Sequence, residues 1–469
     1  MRIRVRPAFL DGRLGFQKGV RALHLSFRGG VHPAGKKELS RNTPLSKFDP
    51  TGELVFPLAQ HIGKPAKPIV KKGDPVLVGQ VIAEADGYVS ANIVCSCSGT
   101  VKAIEKRRVI AGTLAECIVV DNDGKFTPVE GMGEATDVSA LTNDEILAKI
   151  QHAGIVGLGG AGFPTHVKLK PKDPAAIQYV IANGAECEPY LTCNDRLMQE
   201  EAETILAGLR IVLRLFPNAK GWVGIENNKP EAVAAMQAAA GKDVTVLALR
   251  TKYPQGGEHN LIRTIAGVDY PAAMLPADVG CVVLNVGTLY AIERAVAHNE
   301  PLFTHVLTVS GEAVKEPKNL IVRDGTSFLE LVDACGGLKE AGIKKALAGG
   351  PMMGVALGGL DVPVQKTTNG LTLLADDPTE MPYRQMTTCI RCGRCTTVCP
   401  AGLLPQLMAD AADMGDFERY EKKVYGLECV ACGSCSYVCP AKRPLTQRFR
   451  RIKAEIMLQR RAAQAGGAK

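Results

Sequence analysis

The chain has 469 residues, 46% of them hydrophobic, with a formal net charge of +8 and 15 cysteines. Its length predicts several domains. The start, Met1–Leu10, lacks the apolar core of a secretory signal, and no apolar run reaches the roughly 18 residues of a membrane-spanning helix. We therefore expect a soluble or peripheral protein whose cysteines ligate metal in a reducing compartment.

The first predicted domain, residues 1–130, is β-rich from Gly29 to Phe126 and begins with a short extension. Its segment Ile69–Ala83 alternates short strands with Gly-Asp and Gly-Gln turns. This pattern resembles the barrel-sandwich fold of biotinyl and lipoyl domains. Those domains carry a modified lysine at a hairpin tip, and Ser90–Asn92 offers none, so we expect a structural or docking role.

Residues 131–300 predict an α/β layer domain. Thr142–Glu145 is a capping box that starts a helix. Buried strands and helices then alternate along the chain, as in a sheet covered by helices. The predicted strands are 177–182, 222–226, 244–249 and 281–286, and the predicted helices are 200–216, 231–240 and 288–298.

A glycine-rich loop near residue 160 is the first chemical feature. It contains four glycines within six residues, followed by Phe163; these glycines are Gly157, Gly159, Gly160 and Gly162. Such a loop lets backbone N–H groups approach a phosphate or a flat ring closely. It matches neither the P-loop nor a G-x-G-x-x-G turn after a strand. Taken alone, it also fits a tight helix-to-strand turn.

Three further polar loops follow predicted strands. They contain the candidate ligands Asn183, Glu186 and Glu188; Glu258; and Asn285 and Thr288. Ligands of α/β sheets bind at the carboxyl ends of strands, so four such loops in one domain indicate a single pocket. Asn and Thr side chains there can hydrogen-bond a flavin ring, and Lys168 can meet its phosphate.

A smaller unit is predicted at residues 301–360. It has a strand at Val306–Val309, a helix at Ser327–Cys335 and a tight loop at Gly349–Gly354. A link around Asp376–Pro382 then leads to a cysteine-rich domain at residues 380–445.

Eight cysteines of that domain form two copies of the run C-x-x-C-x-x-C-x-x-x-C-P. This is the ligand run of proteins that hold two [4Fe–4S] clusters, in which the fourth cysteine of each run reaches the other cluster. Zinc sites and disulfides rarely show this repeated Cys-Pro ending. We therefore expect one cluster on Cys389, Cys392, Cys395 and Cys439, and the other on Cys399, Cys429, Cys432 and Cys435.

The excess charge lies at the C-terminus. Residues 442–469 contain nine Lys or Arg and one Glu, so they alone account for +8. A basic helix in the predicted tail, residues 446–469, would suit an anionic membrane or an acidic partner, and a solvated terminal helix remains an alternative. Nucleic-acid binding is disfavoured because no aromatic interleaving accompanies the charge.

Together these motifs resemble the family of Rnf electron-transport complex C subunits (RnfC, also called RsxC) over nearly the whole chain. The resemblance is carried by Phe27–Pro33, Gly159–Thr165, Tyr253–Glu258, Leu275–Gly280 and the two cysteine runs. The central domain is also similar to the NADH- and FMN-binding flavoprotein subunit of respiratory complex I. Residues 304–345 are similar to the small β-grasp (SLBB) domain that both families contain.

The resemblance implies a multidomain α/β and α+β protein. Its parts would be a barrel-sandwich domain, a flavin-binding α/β domain, an SLBB domain and a two-cluster, ferredoxin-like α-helical domain. It implies an FMN site carried by residues 157–168, Asn183, Asn285 and Thr288. It also implies a nicotinamide pocket near Phe163, Glu186, Glu188 and Glu258. Two residues depart from the complex I pattern. Leu158 occupies a position where the complex I subunit has Arg, and Ala185 one where it has Asp, so flavin contacts are expected to differ.

The implied function is that of a peripheral, NAD(H)-linked oxidoreductase subunit on the cytoplasmic face of the bacterial membrane. It would exchange electrons between NAD(H), FMN, two [4Fe–4S] clusters and the membrane and ferredoxin-type subunits of an ion-translocating complex, with no catalytic acid or base. One alternative is an RnfC-like cobalamin reductase, although that family lacks the N-terminal barrel. The other is a non-catalytic iron–sulfur scaffold with a vestigial flavin pocket.

Overall fold

The computed structural model describes residues 25–377 and 384–466. Most of the predicted N-terminal extension and of the link before the cysteine runs lie outside these residues. The chain forms two compact units. Of the described residues, one unit contains 25–34, 250–275, 377 and 384–466, and the other contains 35–249 and 276–376.

The N-terminal domain is a barrel sandwich of two antiparallel sheets, with strand orders β2-β8-β7-β4 and β3-β5-β6. Leu54 and Phe56 on β2 are fully buried while Val55 between them is not, the alternation of a strand that covers a core. From residue 25 to residue 125 the described strands are β1 (Leu45–Lys47), β2 (Leu54–Pro57), β3 (Lys67–Pro68), β4 (Pro75–Val76), β5 (Val81–Glu84), β6 (Ile93–Val94), β7 (Gly99–Arg108) and β8 (Leu114–Asn122). The predicted barrel-sandwich fold is confirmed.

The central domain contains a parallel sheet in the order β11-β10-β9-β12. Val180, Ile181 and Ala182 are buried in succession, as in a strand covered on both faces. The strands are β9 (Tyr179–Gly184), β10 (Lys220–Glu226), β11 (Val244–Leu249) and β12 (Cys281–Asn285). The helices up to residue 298 are α1 (Asn143–His152), α2 (Thr165–Lys168), α3 (Cys193–Glu200), α4 (Ala202–Arg214), α5 (Pro230–Ala240), α6 (Glu258–Ala266) and α7 (Val286–His298).

The predicted helix starts are partly confirmed. Thr142 caps α1 with the reciprocal Thr142–Glu145 hydrogen bonds of a capping box. The single helix predicted at 200–216 is wrong, because two helices, α3 and α4, meet at Glu201. Helix α3 begins as early as Cys193 because the carboxylate of Glu186 accepts hydrogen bonds from the amides of its first turn.

The next unit, residues 304–374, is built on a six-stranded sheet in the order β1-β14-β13-β17-β15-β16, so the strand β1 crosses from the N-terminal segment. The predicted helix start at Ser327 is confirmed, since its hydroxyl accepts a hydrogen bond from Leu329 N. The elements are β13 (Thr304–Ser310), β14 (Lys318–Arg323), α8 (Phe328–Ala334), β15 (Lys345–Ala348), β16 (Val355–Ala356) and β17 (Gly370–Leu374).

The cysteine region is helical. Its helices are α9 (Arg394–Thr397), α10 (Pro405–Asp413), α11 (Ser434–Tyr437) and α12 (Leu445–Gly466), with a π-helical turn at Arg419–Lys423. Short 3-10 turns elsewhere lie at Lys37–Leu39, Val138–Ala140, Pro174–Ala176, Pro276–Val279 and Gly426–Glu428. Within the described residues, no helix is both long and apolar enough to cross a membrane.

Helix α12 is not a separate tail. Leu445, Phe449, Ile452 and Ile456 recur at helical spacing and lie in one buried core with residues of α10, such as Met408. The basic residues therefore project from a helix that is part of the cysteine domain, whose predicted end was residue 445.

Candidate electron-transfer sites

The glycine loop is closed at its base by an isolated bridge between Val156 and Pro164. The amide of Gly157 donates to the carbonyl of Phe163 at 2.9 Å. Between these points the backbone amides of Gly159, Gly160 and Ala161 donate to no partner in the described part of the chain. The loop therefore presents consecutive open N–H groups, the arrangement that a phosphate or a flavin edge requires.

Two glycines of this loop have different surroundings. A Cβ at Gly160 would meet no atom within 4 Å. Gly162 has φ +69°, and a Cβ there would lie 2.7 Å from Thr367 Cγ2. Gly162 is thus required by the fold, whereas the space above Gly160 is open for a ligand.

The loop is fixed to the start of α7. The amide of Leu158 donates to Thr288 Oγ1 at 3.0 Å, and Asn285 Oδ1 accepts from Gly287 N at 2.8 Å. Gly159 and Asn285 line one cavity of about 300 Å³, and residues 304–306 of β13 line it too. The structure thus brings together the predicted FMN residues Gly159, Asn285 and Thr288.

The other predicted FMN residues lie around the same sheet edge. Lys168 Nζ donates to the carbonyl of Val283 in β12 at 2.7 Å. Asn183 Oδ1 accepts from Ala185 N at 3.1 Å, directly after β9. Neither side chain lines the cavity, and their predicted flavin contacts stay predictions.

The two predicted nicotinamide carboxylates order backbone loops. Glu186 is buried and accepts from Asn194 N at 2.9 Å and Asp195 N at 3.3 Å. Glu188 accepts from Met352 N at 3.1 Å and Met353 N at 2.7 Å, which holds the Gly349–Gly354 loop. Glu258 is the first residue of α6 and belongs to the unit that carries the cysteine runs.

A buried lysine that sequence reasoning missed supports Glu186. Lys229 is fully buried, and its Nζ donates to the carbonyl of Glu186 at 3.3 Å and to Glu226 Oε2 at 3.0 Å. Burial opposes its charged form, but Glu226 and Glu186 outweigh this effect and raise the pKa of Lys229. A lysine in a polar stretch gives no sequence signal of burial, so only the folded chain reveals it.

The two cysteine runs adopt the same backbone. Arg391 and Ala431, at matching positions, have φ of 56° and 53°, and the following Gly393 and Gly433 have φ of 74° and 85°. Each run then continues into a short helix, α9 or α11. The sequence duplication is therefore a structural duplication, in which the left-handed residues turn the chain between ligands.

One set of cysteines surrounds a cavity in the buried part of the domain. Its lining includes Cys399, Cys429, Cys432 and Cys435, the set predicted for one cluster. The amides of Leu403 and Ala431 donate to the sulfurs of Cys399 and Cys429, at 3.3 and 3.4 Å. Hydrogen bonds of this kind stabilise thiolates that bind iron.

Burial disfavours free thiolates in this set. It raises the pKa of Cys429 to about 11 and that of Cys435 to about 12, with further rises from neighbouring thiolates of the set. Free thiols in this set therefore stay protonated, and iron binding would displace their protons.

A buried hydroxyl near two of these cysteines lacks a hydrogen-bond partner in the described part of the chain. Tyr420 is fully buried in the same core as Cys429 and Cys435, and its Oη has no hydrogen-bond partner among the described residues. An unpaired hydroxyl is costly inside a protein, and cluster sulfur is an acceptor that would satisfy it.

The other set lies at the surface. Cys389 and Cys392 are exposed, and Cys395 and Cys439 are half-buried. Burial raises the pKa of Cys395, and the Cys439 thiolate adds to the rise, which places these cysteines of different runs near one another. The crossed ligand pattern of two-cluster proteins fits this pairing.

Among the described residues, no three His, Cys, Asp or Glu side chains are close enough to share a single metal ion. A cubane makes a different demand, because each thiolate binds a different iron and the four sulfurs surround a volume. Cys399, Cys429, Cys432 and Cys435 line one common cavity.

Four family models match successive parts of the chain. The RnfC barrel sandwich hybrid domain matches residues 25–125 and the Nuo51 FMN-binding domain matches residues 150–294. The SLBB domain matches residues 306–356 and the 4Fe-4S dicluster domain matches residues 381–440. These matches confirm the predicted fold classes in their predicted order.

Curated relatives are similar over nearly the whole chain. The C subunit of the proton-translocating ferredoxin:NAD(+) oxidoreductase complex of Clostridium ljungdahlii is 45% identical over 92% of this chain and 94% of the relative. The C subunit of the Na(+)-translocating complex of Acetobacterium woodii is 41% identical over 93% and 98%. A solved NAD+-reducing [NiFe]-hydrogenase shares the fold, with a TM-score of 0.50 at 17% identity over 69% of this chain and 62% of that chain.

Proposed function

Because the chain belongs to the RnfC family, the C subunits of ion-translocating ferredoxin:NAD(+) oxidoreductase complexes, we propose that it exchanges electrons between NAD(H) and the other subunits of such a complex. FMN and two [4Fe–4S] clusters are its cofactors, and it is a peripheral subunit on the cytoplasmic face of the membrane. The observation that carries the proposal is an open glycine loop in the same chain as two complete sets of cluster cysteines.

Flavin binding rests on the glycine loop and the start of α7. The open amides of Gly159–Ala161 would hold the anionic part of FMN, helped by the positive N-terminal end of α7 at Asn285 and Thr288. When bound, FMN accepts two electrons from a nicotinamide as a hydride and releases them singly. Glu186 and Glu188, with their backbone partners, keep the loops after β9 in place for the nicotinamide.

Partner contact is assigned to the exposed cluster. Cys389 and Cys392 reach the surface, and Ile390 between them is 63% exposed. Residues 384–399 contain three arginines and no acidic residue. Arg443 and Arg448 of the basic C-terminal segment both contact Asp413, which leaves an excess of positive charge. An acidic, ferredoxin-type subunit is the partner that such a surface favours over a bare membrane.

The barrel sandwich argues against the alternative of a cobalamin reductase, because that family lacks this domain. The RnfC barrel model matches residues 25–125, and that part of the chain is folded into two packed sheets. The remaining alternative, an iron–sulfur scaffold with a vestigial flavin pocket, predicts no reaction with NADH.

Anaerobic mixing of the cluster-loaded, FMN-loaded protein with NADH tests the proposal. We expect bleaching of the flavin absorbance followed by electron paramagnetic resonance (EPR) signals of reduced clusters. A matched Cys392→Ala variant should still bleach its flavin but should not pass electrons to an external acceptor protein. Intact clusters with no flavin and no response to NADH would support the scaffold instead, and electron transfer to the acceptor by Cys392→Ala would contradict the relay.

A further inference from the structure

The loop Tyr253–Glu258 is bonded to the buried cluster site. Tyr253 is 2% exposed, and its hydroxyl donates to the carbonyl of the cluster ligand Cys432 at 2.7 Å. The backbone of Tyr253 also pairs with Val31, whose amide donates to the Tyr253 carbonyl at 2.8 Å while Tyr253 N donates back at 2.9 Å. Tyr253 is thus held at both its backbone and its side chain.

A glycine pair fills the space between this loop and the cluster ligands. The amide of Gly30 donates to the carbonyl of Val398 at 2.8 Å, next to Cys399. A Cβ on Gly29 would lie 2.7 Å from the Cys399 carbonyl oxygen, and one on Gly30 would lie 2.6 Å from the Tyr253 carbonyl oxygen. Both glycines have φ near +80°, at +78° and +79°. Only glycine allows this close approach, which explains the pair in the Phe27–Pro33 motif.

Further contacts from residues 250–275 reach the same cluster. Arg263 Nη1 donates to the carbonyl of Pro400 at 3.1 Å. The amide of Ala272 donates to Glu428 Oε2 at 2.6 Å. Pro400 and Glu428 directly adjoin the ligands Cys399 and Cys429. Every one of these contacts lies beside the cysteines of the buried set.

We propose that Tyr253 is a positioning residue that raises the reduction potential of the cluster on Cys399, Cys429, Cys432 and Cys435. This inference rests on the proposed function, in which the buried cluster takes part in electron transfer from NAD(H). The Tyr253 hydroxyl contacts a ligand of this cluster, so it is the buried cluster whose potential the hydroxyl adjusts.

Electrostatics sets the direction of this effect on the potential. Reduction adds one negative charge to the cluster, and a carbonyl oxygen beside it disfavours that charge. A hydroxyl proton on the Cys432 carbonyl offsets this effect and so stabilises the reduced state. Because the bond is buried, solvent screens it little. Removing the hydroxyl leaves the carbonyl without this donor and makes reduction harder.

An EPR-monitored redox titration of the cluster-loaded chain, without flavin or nicotinamide, tests the proposal. In Tyr253→Phe we expect the midpoint potential of the buried cluster to fall while that of the exposed cluster stays unchanged. The exposed cluster is identified by the signal that disappears in Cys392→Ala. Tyr437→Phe is the matched control, since Tyr437 lies within the second cysteine run but is 54% exposed; it should shift neither potential.

A second substitution separates tuning from simple structural support. 3-Fluorotyrosine at position 253 keeps the ring and strengthens the hydroxyl as a donor, so it should move the buried cluster's potential upward. Unchanged potentials in both variants, or shifts of the same sign, would overturn the proposal; if Tyr253→Phe fails to retain the cluster, the fluorotyrosine result decides alone. No NADH is used, so failure of the proposed function would appear in the mixing experiment and leave this titration unaffected.

Discussion

Single buried residues hold the domains of the larger unit together, and Lys366 is the clearest case. It is 1% exposed, and its Nζ donates to the carbonyls of Asn92 and Gly154, both at 2.7 Å. Asn92 belongs to the barrel sandwich, and Gly154 precedes the glycine loop of the central domain. The ammonium group of Lys366 therefore links these two domains, although Lys366 itself lies in a third segment of the chain. Burial lowers the pKa of Lys366 to about 8, with a smaller opposing effect of Asp324.

This pKa predicts how stability depends on pH. An unfolded lysine binds its proton up to a pKa of about 10.4, whereas folded Lys366 loses it near pH 8. Between these values the unfolded state binds more protons, so this group makes the protein more stable as pH rises. Below pH 8 both states are protonated and its contribution is constant.

Thermal unfolding of wild type and Lys366→Met from pH 7 to 10 measures this contribution. The stability of the wild type relative to the variant should rise above pH 8, by up to about 3 kcal/mol. Lys67→Met, which removes an exposed lysine of the barrel, should show a constant difference. A constant difference for Lys366→Met as well would mean that Lys366 does not titrate in this range.

At the scale of elements, two glycines of the glycine loop have different roles: Gly162 serves the fold, and Gly160 leaves space for a ligand. Gly162 is confined by Thr367 and a positive φ, while Gly160 faces open space beside amides that lack partners in the described residues. The same residue type therefore serves two purposes within three positions.

Gly160→Ala and Gly162→Ala should consequently behave differently. Gly160→Ala should keep the wild-type unfolding temperature but weaken FMN binding by about tenfold or more, about 1.4 kcal/mol, because its methyl group occupies ligand space. Gly162→Ala should lower the unfolding temperature because its backbone is strained by any side chain. FMN titration by fluorescence and thermal unfolding check both. Equal FMN affinity in Gly160→Ala and wild type would remove the loop from the flavin site.

Local patterns predicted most elements and the 4Fe-4S dicluster domain. The capping box at Thr142 and the paired cysteine runs are short-range signals, because the chemistry that needs them acts over a few residues. The division of helix 200–216 was missed because Glu186, seven residues before Cys193, starts α3 from outside the helix. Buried Lys366 was missed for a related reason: its partners are the backbone carbonyls of Asn92 and Gly154, far away in sequence. Lys229 was missed because a lysine in a polar stretch gives no signal of burial.

At the scale of the whole molecule, segments that are far apart in the sequence belong to the same compact unit. Residues 250–275 were predicted within the α/β domain, yet they group with the cysteine runs and with the Phe27–Pro33 motif. The Gly30–Val398 hydrogen bond joins residues more than three hundred positions apart, and no local pattern records it. This grouping gives the two clusters different surroundings, one under the Tyr253 loop and one at the surface.

These different surroundings predict an order of reduction. The buried cluster, whose ligand Cys432 is hydrogen-bonded to Tyr253, should accept electrons before the exposed cluster, which then meets the partner protein. Loss of the exposed cluster should leave the first transfer intact, whereas loss of the buried cluster should abolish both.

Rapid-freeze EPR after anaerobic mixing of the fully loaded protein with NADH tests this order most directly, with signals assigned from Cys392→Ala and Cys432→Ala. We predict that the buried-cluster signal appears first, persists in Cys392→Ala, and that Cys432→Ala shows no early reduction of either cluster. Earlier reduction of the exposed cluster, or its normal reduction in Cys432→Ala, would contradict the proposed relay.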